Sequence, residues 1–165
     1  MEVRPTIRAV TLDDASSVAE IYRPVVEQTT ISFEETAPDA AEIARRIASI
    51  TASYPWLAAC AGGRVLGYAY AGQHRERAGY RYSVDVSVYV AQDARGRSVG
   101  TLLYARLFEI LRERKFHRAF AGITLPNDAS VALHRRFGFR EVGIYHEVGY
   151  KFGRWLDVMW CERAI

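Results

Sequence analysis

The chain has 165 residues, 50% of them hydrophobic and 25% charged, with a net charge of +3 and an isoelectric point near 9.0. That size favours one domain with a sizeable core, and the composition is ordinary for a globular protein. The mild, dispersed basic excess speaks against a nucleic-acid-binding module, and no apolar run of about 18 residues is present to cross a membrane. The polar opening MEVRPTIR does not read as a secretion signal, so the expected location is the cytoplasm.

Residues 3–10 carry short apolar positions around Pro5 and predict an edge strand. Thr11 and Asp14 have capping-box spacing and open a helix through Val18, Ile21 and Tyr22, which Pro24 should end or bend. Thr29–Glu35 is a polar and aromatic connector whose Phe33 and Glu34 either pack the loop or line a site. Asp39 with Glu42 starts a second helix, with Ile43, Ile47 and Ile50 as its apolar stripe. Trp56–Ala61 and Val65–Ala71, separated by Gly62-Gly63, predict a hairpin. Cys60, and Cys161 near the end of the chain, sit in apolar stretches and read as buried free thiols. Gln73–Arg81 is a polar loop that gathers Arg75, Arg77 and Arg81 beside Tyr80.

Residues 82–90 alternate strictly, with Val84, Val86, Val88 and Val90 on one face and Ser83, Asp85, Ser87 and Tyr89 on the other, which predicts a strand. Asp85 stands among valines, where a carboxylate is costly unless it is paired or useful. Val99, Leu102, Leu103, Leu107, Ile110 and Leu111 have helical spacing. Between strand and helix lie Arg95, Gly96, Arg97 and Gly100. The first N–H groups of a helix lack intrahelical partners and its dipole favours negative charge there, so a phosphate-bearing ligand is expected at Arg95–Thr101. The loop is neither a Walker loop nor a dinucleotide fingerprint. Arg118–Ile123 predicts a strand parallel to 82–90 through a right-handed crossover. Ala129–Arg136 predicts a short helix stopped by Gly138. Glu141–Val148 and Leu156–Cys161 predict two final antiparallel strands, with Gly149 and Gly153 in their connection. The whole order argues an α/β (α+β) sheet flanked by helices.

That order resembles the GNAT superfamily of N-acetyltransferases, which binds the acetyl-CoA pyrophosphate at a Q/R-x-x-G-x-G/A loop. Arg95-Gly96-Arg97-Ser98-Val99-Gly100 matches at its first and last positions, with serine in place of the middle glycine. Asn127, an alanine-containing helix and Phe137-Gly138-Phe139 resemble a second GNAT signature. The stretches Tyr54–Cys60, Gly67–Gly72, Arg75-Glu76-Arg77 with Tyr80, Val88–Val90, 125–134 and 149–158 resemble the phosphinothricin and methionine sulfoximine N-acetyltransferases.

The resemblance implies one GNAT domain over residues 1–165, with a mixed, mainly antiparallel twisted sheet and a central β-loop-α site. It implies acetyl-CoA as co-substrate, no metal, a small amine substrate bearing a carboxylate, and a homodimer. It implies that the backbone of Val88, Tyr89 and Val90 pairs with pantetheine and donates to the oxyanion. The N–H groups of Gly96, Arg97, Ser98, Val99, Gly100 and Thr101 would hold the pyrophosphate, Arg95 or Arg97 would add charge, and Asn127 would touch the cofactor from the neighbouring strand. Asp85 matches a glutamate proposed as the base and, being one methylene shorter, would work through a bridging water. His134 stands where many relatives carry a tyrosine acid. Arg75 and Arg77 would bind the substrate carboxylate, Phe33 and Tyr80 would shape its side-chain pocket, and Glu34 would lie nearby. The alternatives are acetylation of peptide N-termini or other amines, or a CoA-binding sensor without turnover.

Overall fold

The computed structural model describes residues 4–165, and Val3, at the start of the expected first strand, lies outside the described residues. Strands β1 (Thr6–Ala9), β2 (Trp56–Ala61), β3 (Arg64–Gln73), β4 (Ser83–Val90), β5 (Arg118–Thr124), β6 (Arg140–Lys151) and β7 (Arg154–Ala164) form one seven-stranded sheet in the order β1-β2-β3-β4-β5-β7-β6. All neighbours are antiparallel except β4 and β5. Helices α1 (Ala15–Gln28), α2 (Ala40–Thr51), α3 (Val99–Glu113) and α4 (Asp128–Arg136) flank it, with short 3-10 turns at Leu12–Asp14, Ala78–Tyr80 and Gln92–Ala94. The expected mixed, mainly antiparallel sheet is the one formed.

Alternation along β4 decides what each face of the sheet meets. Val84 and Val86 are buried with the α3 stripe of Val99, Leu103, Leu107 and Leu111. The opposite face is aromatic: Tyr89 meets Tyr68 at 5.4 Å between ring centroids and Tyr22 of α1, edge-on, at 5.1 Å. The start of α1 is tied to β1 through Asp14, which accepts two bonds from the Arg8 guanidinium at 2.7 Å each and one from the Thr11 N–H at 2.8 Å.

Three expectations are corrected. Pro24 does not end the helix, because α1 continues to Gln28 and buries Val25 and Val26 just beyond it. An interior proline costs about 3 kcal/mol, and burying two valines returns at least as much, so packing wins. Gly149 lies inside β6 opposite Leu156, and the connection is the two-residue turn Phe152-Gly153. Both turn residues have positive φ (51° and 74°), the twist that suits a tight hairpin. Cys60 is only half-buried, whereas Cys161 is buried and its thiol is pushed up to about 11 by that burial.

One irregularity positions the site. β4 is paired with β3 from Val84 to Val90 but with β5 only from Ser83 to Asp85, opposite Arg118–Phe120. Beyond Asp85 the two central strands part.

Candidate active site

The strand that parts from β5 feeds directly into the loop expected to hold an anion. The 3-10 turn after β4 is anchored by buried Ala94 and leads through Arg95, Gly96 (φ 75°) and Arg97 to Ser98. Ser98 takes φ 60° and ψ 14°, left-handed backbone that a glycine adopts freely. The serine therefore keeps the glycine's conformation as well as its N–H. Helix α3 begins at the next residue. Val88, Tyr89, Val90, Arg95, Gly96, Ser98, Val99, Gly100, Thr101 and Asn127 surround a cavity of about 490 Å³. Arg97 does not line it; it is exposed on the same loop as Asp93, which Arg64 grips at 2.6 and 2.8 Å.

A smaller cavity of about 60 Å³ lies in the split itself, between Ser87 and Val88 of β4 and Gly122 and Thr124 of β5. It shares Val88, Tyr89, Asn127 and Ser130 with the larger one, so the two adjoin. His134 is among its walls and is only 4% exposed. Its Nδ1 lies 2.7 Å from the Ser130 carbonyl, which only accepts, so Nδ1 carries the hydrogen. Nε2 accepts from the Tyr104 hydroxyl at 2.9 Å. Burial holds the His134 pKa below the ordinary imidazole value, and burial raises Tyr104 well above a free phenol. The pair is a neutral imidazole facing a neutral phenol. Asn127 caps α4, its Oδ1 accepting from the Ser130 N–H at 3.2 Å, which leaves its amide group for the cavities.

Asp85 lies where the β4–β5 ladder ends, opposite Gly72 on β3 and Phe120 on β5. Its Oδ1 is 2.6 Å from Nδ1 of His74, a residue the sequence reading did not single out. The carboxyl is pushed up by burial and pulled back by His74 and, through space, by Arg75. The His74 ring stacks on Phe120 at 4.2 Å and meets Tyr80 edge-on at 5.9 Å. Arg75, Arg77 and Tyr80 are exposed on the loop beyond β3 and line neither cavity.

The connector after α1 contributes differently from what its residue types suggested. Glu34 is held by the Arg46 guanidinium at 2.6 and 3.0 Å, which keeps its carboxyl below the usual range. Phe33 lies over Gly149, where an added Cβ would come within 2.2 Å of the ring. Ile31, also not foreseen, is the connector residue that lines both cavities. The connector is fixed by the buried ammonium of Lys151, which donates to the carbonyls of Val26 at 2.6 Å and Ser32 at 2.7 Å.

A free interior strand edge, an N–H-rich helix start and a cleft joining them define an acyltransferase of the GNAT type. The family model described as an acetyltransferase (GNAT) domain matches residues 7–160, and the chain belongs to that family. It is 42% identical to a phosphinothricin N-acetyltransferase of Streptomyces coelicolor, over 100% of this chain and 96% of that protein. It is 40% identical to an L-methionine sulfoximine/L-methionine sulfone acetyltransferase of Pseudomonas paraeruginosa, over 95% of this chain and 92% of that one. Its fold superposes with a TM-score of 0.94 on a phosphinothricin acetyltransferase of Sinorhizobium meliloti solved with acetyl-CoA, 37% identical over 98% of this chain and 89% of that chain. Among the described residues no group of side chains could hold a metal ion, and no helix is long and apolar enough to cross a membrane.

Proposed function

We propose that the whole chain is one acetyl-CoA-dependent N-acetyltransferase unit that acetylates the α-amine of a small amino-acid analogue of the phosphinothricin, methionine sulfoximine or methionine sulfone type. The observation that carries this reading is the free edge of β4 from Val86 to Val90, running into the Gly96–Thr101 helix start. An extended chain of amides fits that edge, and a pyrophosphate fits the N–H groups beyond it. The cavity is of the size small-molecule sites have.

In this reading the backbone N–H groups of Val88–Val90 orient the thioester and stabilise the developing oxyanion. Asp85 stands on the amine side, and the neutral His134–Tyr104 pair stands beside the thioester. Arg75 and Arg77 receive the substrate carboxylate, and Phe33 and Tyr80 bound its side chain. The amine attacks the bound thioester directly, without an acyl-enzyme. The named relatives, which the chain matches along nearly its full length, support this substrate class.

We propose further that the molecule is a cytoplasmic homodimer. Val142, Tyr145, Val148, Tyr150, Phe152 and Trp155 are each more than half exposed on the β6–β7 hairpin, an apolar surface of the kind that interfaces cover. The test is free-thiol release from acetyl-CoA with a panel of these analogues, common amino acids, polyamines and short peptides. Release with an analogue, lost in the double variant Arg75→Ala/Arg77→Ala, is the expected result. Release with peptides alone replaces the substrate class, and coenzyme binding without release replaces the enzyme by a sensor.

A further inference from the structure

Transfer of an acetyl group to an amino acid needs a base for its ammonium proton. The residues near that task differ in what their atoms already do. His134 has no nitrogen to spare, since Nδ1–H is on the Ser130 carbonyl and Nε2 holds the Tyr104 hydroxyl. It cannot collect a proton without breaking a buried hydrogen bond. Asp85 is a carboxylate, ordinarily a weaker base than imidazole by about 2–3 units.

His74 is arranged otherwise. Asp85 in its carboxylate form only accepts, so the 2.6 Å contact places the hydrogen on Nδ1 and the lone pair on Nε2. Among the described residues Nε2 has no hydrogen-bonding partner. The ring plane is set by the stack on Phe120 and by Tyr80. A carboxylate on one nitrogen and an open lone pair on the other is the arrangement of an oriented imidazole base. Neither His74 nor Asp85 lines the two cavities, and it is β4 that links the pair to the split. Asp85 lies two residues, or about 7 Å, before Ser87 on the same face of β4, and Ser87 lines the cavity in the split.

We propose that His74 is the general base of the reaction and that Asp85 is its positioning residue. The proposal rests on the acetylation reading above. Nε2 takes one proton from the substrate ammonium, whose N–H bonding pair stays on nitrogen as the nucleophilic lone pair. That pair forms the C–N bond while the carbonyl π pair moves to oxygen. The intermediate then collapses, the C–S bond breaks with its pair on sulfur, and the thiolate receives the second proton lost by nitrogen. The proton on His74 passes to solvent, and Asp85 balances the imidazolium meanwhile. The groups that face the ring are Asp85 of β4, Phe120 of β5 and Tyr80 of the 3-10 turn, while Arg75 of its own loop donates to the His74 carbonyl at 3.3 Å. Glu162 of β7, opposite Phe120, is turned to Arg140 at 2.9 Å and Arg118 at 4.0 Å.

The experiment is the pH dependence of kcat/KM and kcat at saturating acetyl-CoA, using the amine that the wild type acetylates fastest. His74→Gln keeps a polar side chain beside Asp85 but does not titrate. It should lower kcat about 100-fold near neutral pH, replace the acid limb by a rise that follows deprotonation of the amine itself, and leave the KM for acetyl-CoA unchanged. Its defect should shrink at high pH, where the amine deprotonates unaided. Asp85→Asn should keep the acid limb and cost about 10–100-fold in rate, because the ring loses the acceptor that orients it. A His74→Gln variant with wild-type kcat, or with the same fractional loss at every pH, overturns the proposal. So does an NMR titration of His74 in the wild-type protein whose midpoint does not coincide with the acid limb, a measurement that needs no variant. Failure of the wild type to release thiol with any amine removes the acetylation reading and this base with it. Turnover that is indifferent to His74 removes the base alone.

Discussion

Ser98 gives a prediction that can be worked from its backbone. At φ 60° and ψ 14° a residue with a Cβ pays about 1–2 kcal/mol for left-handed geometry. Replacing it with glycine removes that strain but returns about 0.5–1 kcal/mol through the freer unfolded chain. Ser98 occupies the N-cap position of α3, yet its side chain makes no capping hydrogen bond, so glycine forfeits nothing there. The net gain is about 0.5–1 kcal/mol, which for a chain of this size raises Tm by about 1–4 °C. Thermal unfolding of Ser98→Gly, Ser98→Ala and Ser98→Val without coenzyme makes the comparison. Alanine should match serine, valine should fall below both because a β-branched residue tolerates this region worst, and glycine should stand highest. Coenzyme affinity should stay within about twofold across the glycine and alanine variants, since the loop already has its binding shape. A glycine variant no more stable than the alanine one refutes the strain argument.

Gly149→Ala drives a Cβ into the Phe33 ring, and the exposed ring must swing aside. Amine KM should rise several-fold with acetyl-CoA KM unchanged, as steady-state kinetics will show. Lys151→Met leaves two buried carbonyls without their donor and should cost about 2–4 kcal/mol in urea unfolding. Asp14 is held below the ordinary carboxyl range chiefly by Arg8, so its contribution is complete above about pH 4 and is lost as pH falls through its lower folded value. Asp14→Asn should therefore lose about 1–2 kcal/mol at neutral pH, and the gap to wild type should close on acidification in melts followed by circular dichroism.

Local patterns carried most of the fold. The alternation of Val84 to Val90, the stripe of Val99 to Leu111 and the Asp39 cap depend on neighbours in sequence, and each formed as read. Pro24 and Gly149 misled because their fate was set by distant packing: a buried pair of valines in one case, an aromatic ring from another loop in the other. The shape of the Arg95–Thr101 loop, a strand end leading through glycine into a helix start, was legible because it is set by neighbours in sequence. The His74–Asp85 contact was not, because it depends on the register that sets Gly72 against Asp85 and brings residues 11 apart within bonding distance. Tyr104 was hidden inside a helix stripe that read as core, and it is core, with its hydroxyl spent on His134.

The parting of β4 from β5 has a mechanical side. The half-sheet β1–β4 and the half-sheet β5–β7 share a ladder of only three residue pairs, Ser83 to Asp85 against Arg118 to Phe120. That ladder is a seam, closed at one end and open at the other. An outer strand edge invites any passing strand to pair with it. This edge lies in the middle of the sheet, in a wedge that narrows toward Asp85, and it admits a thin extended chain while refusing a whole strand with its side chains. A molecule threaded along the seam would bond to one half-sheet through β4 and to the helix start that β4 feeds. Occupancy would then stiffen the joint between the halves and add its binding free energy to the stability of the fold.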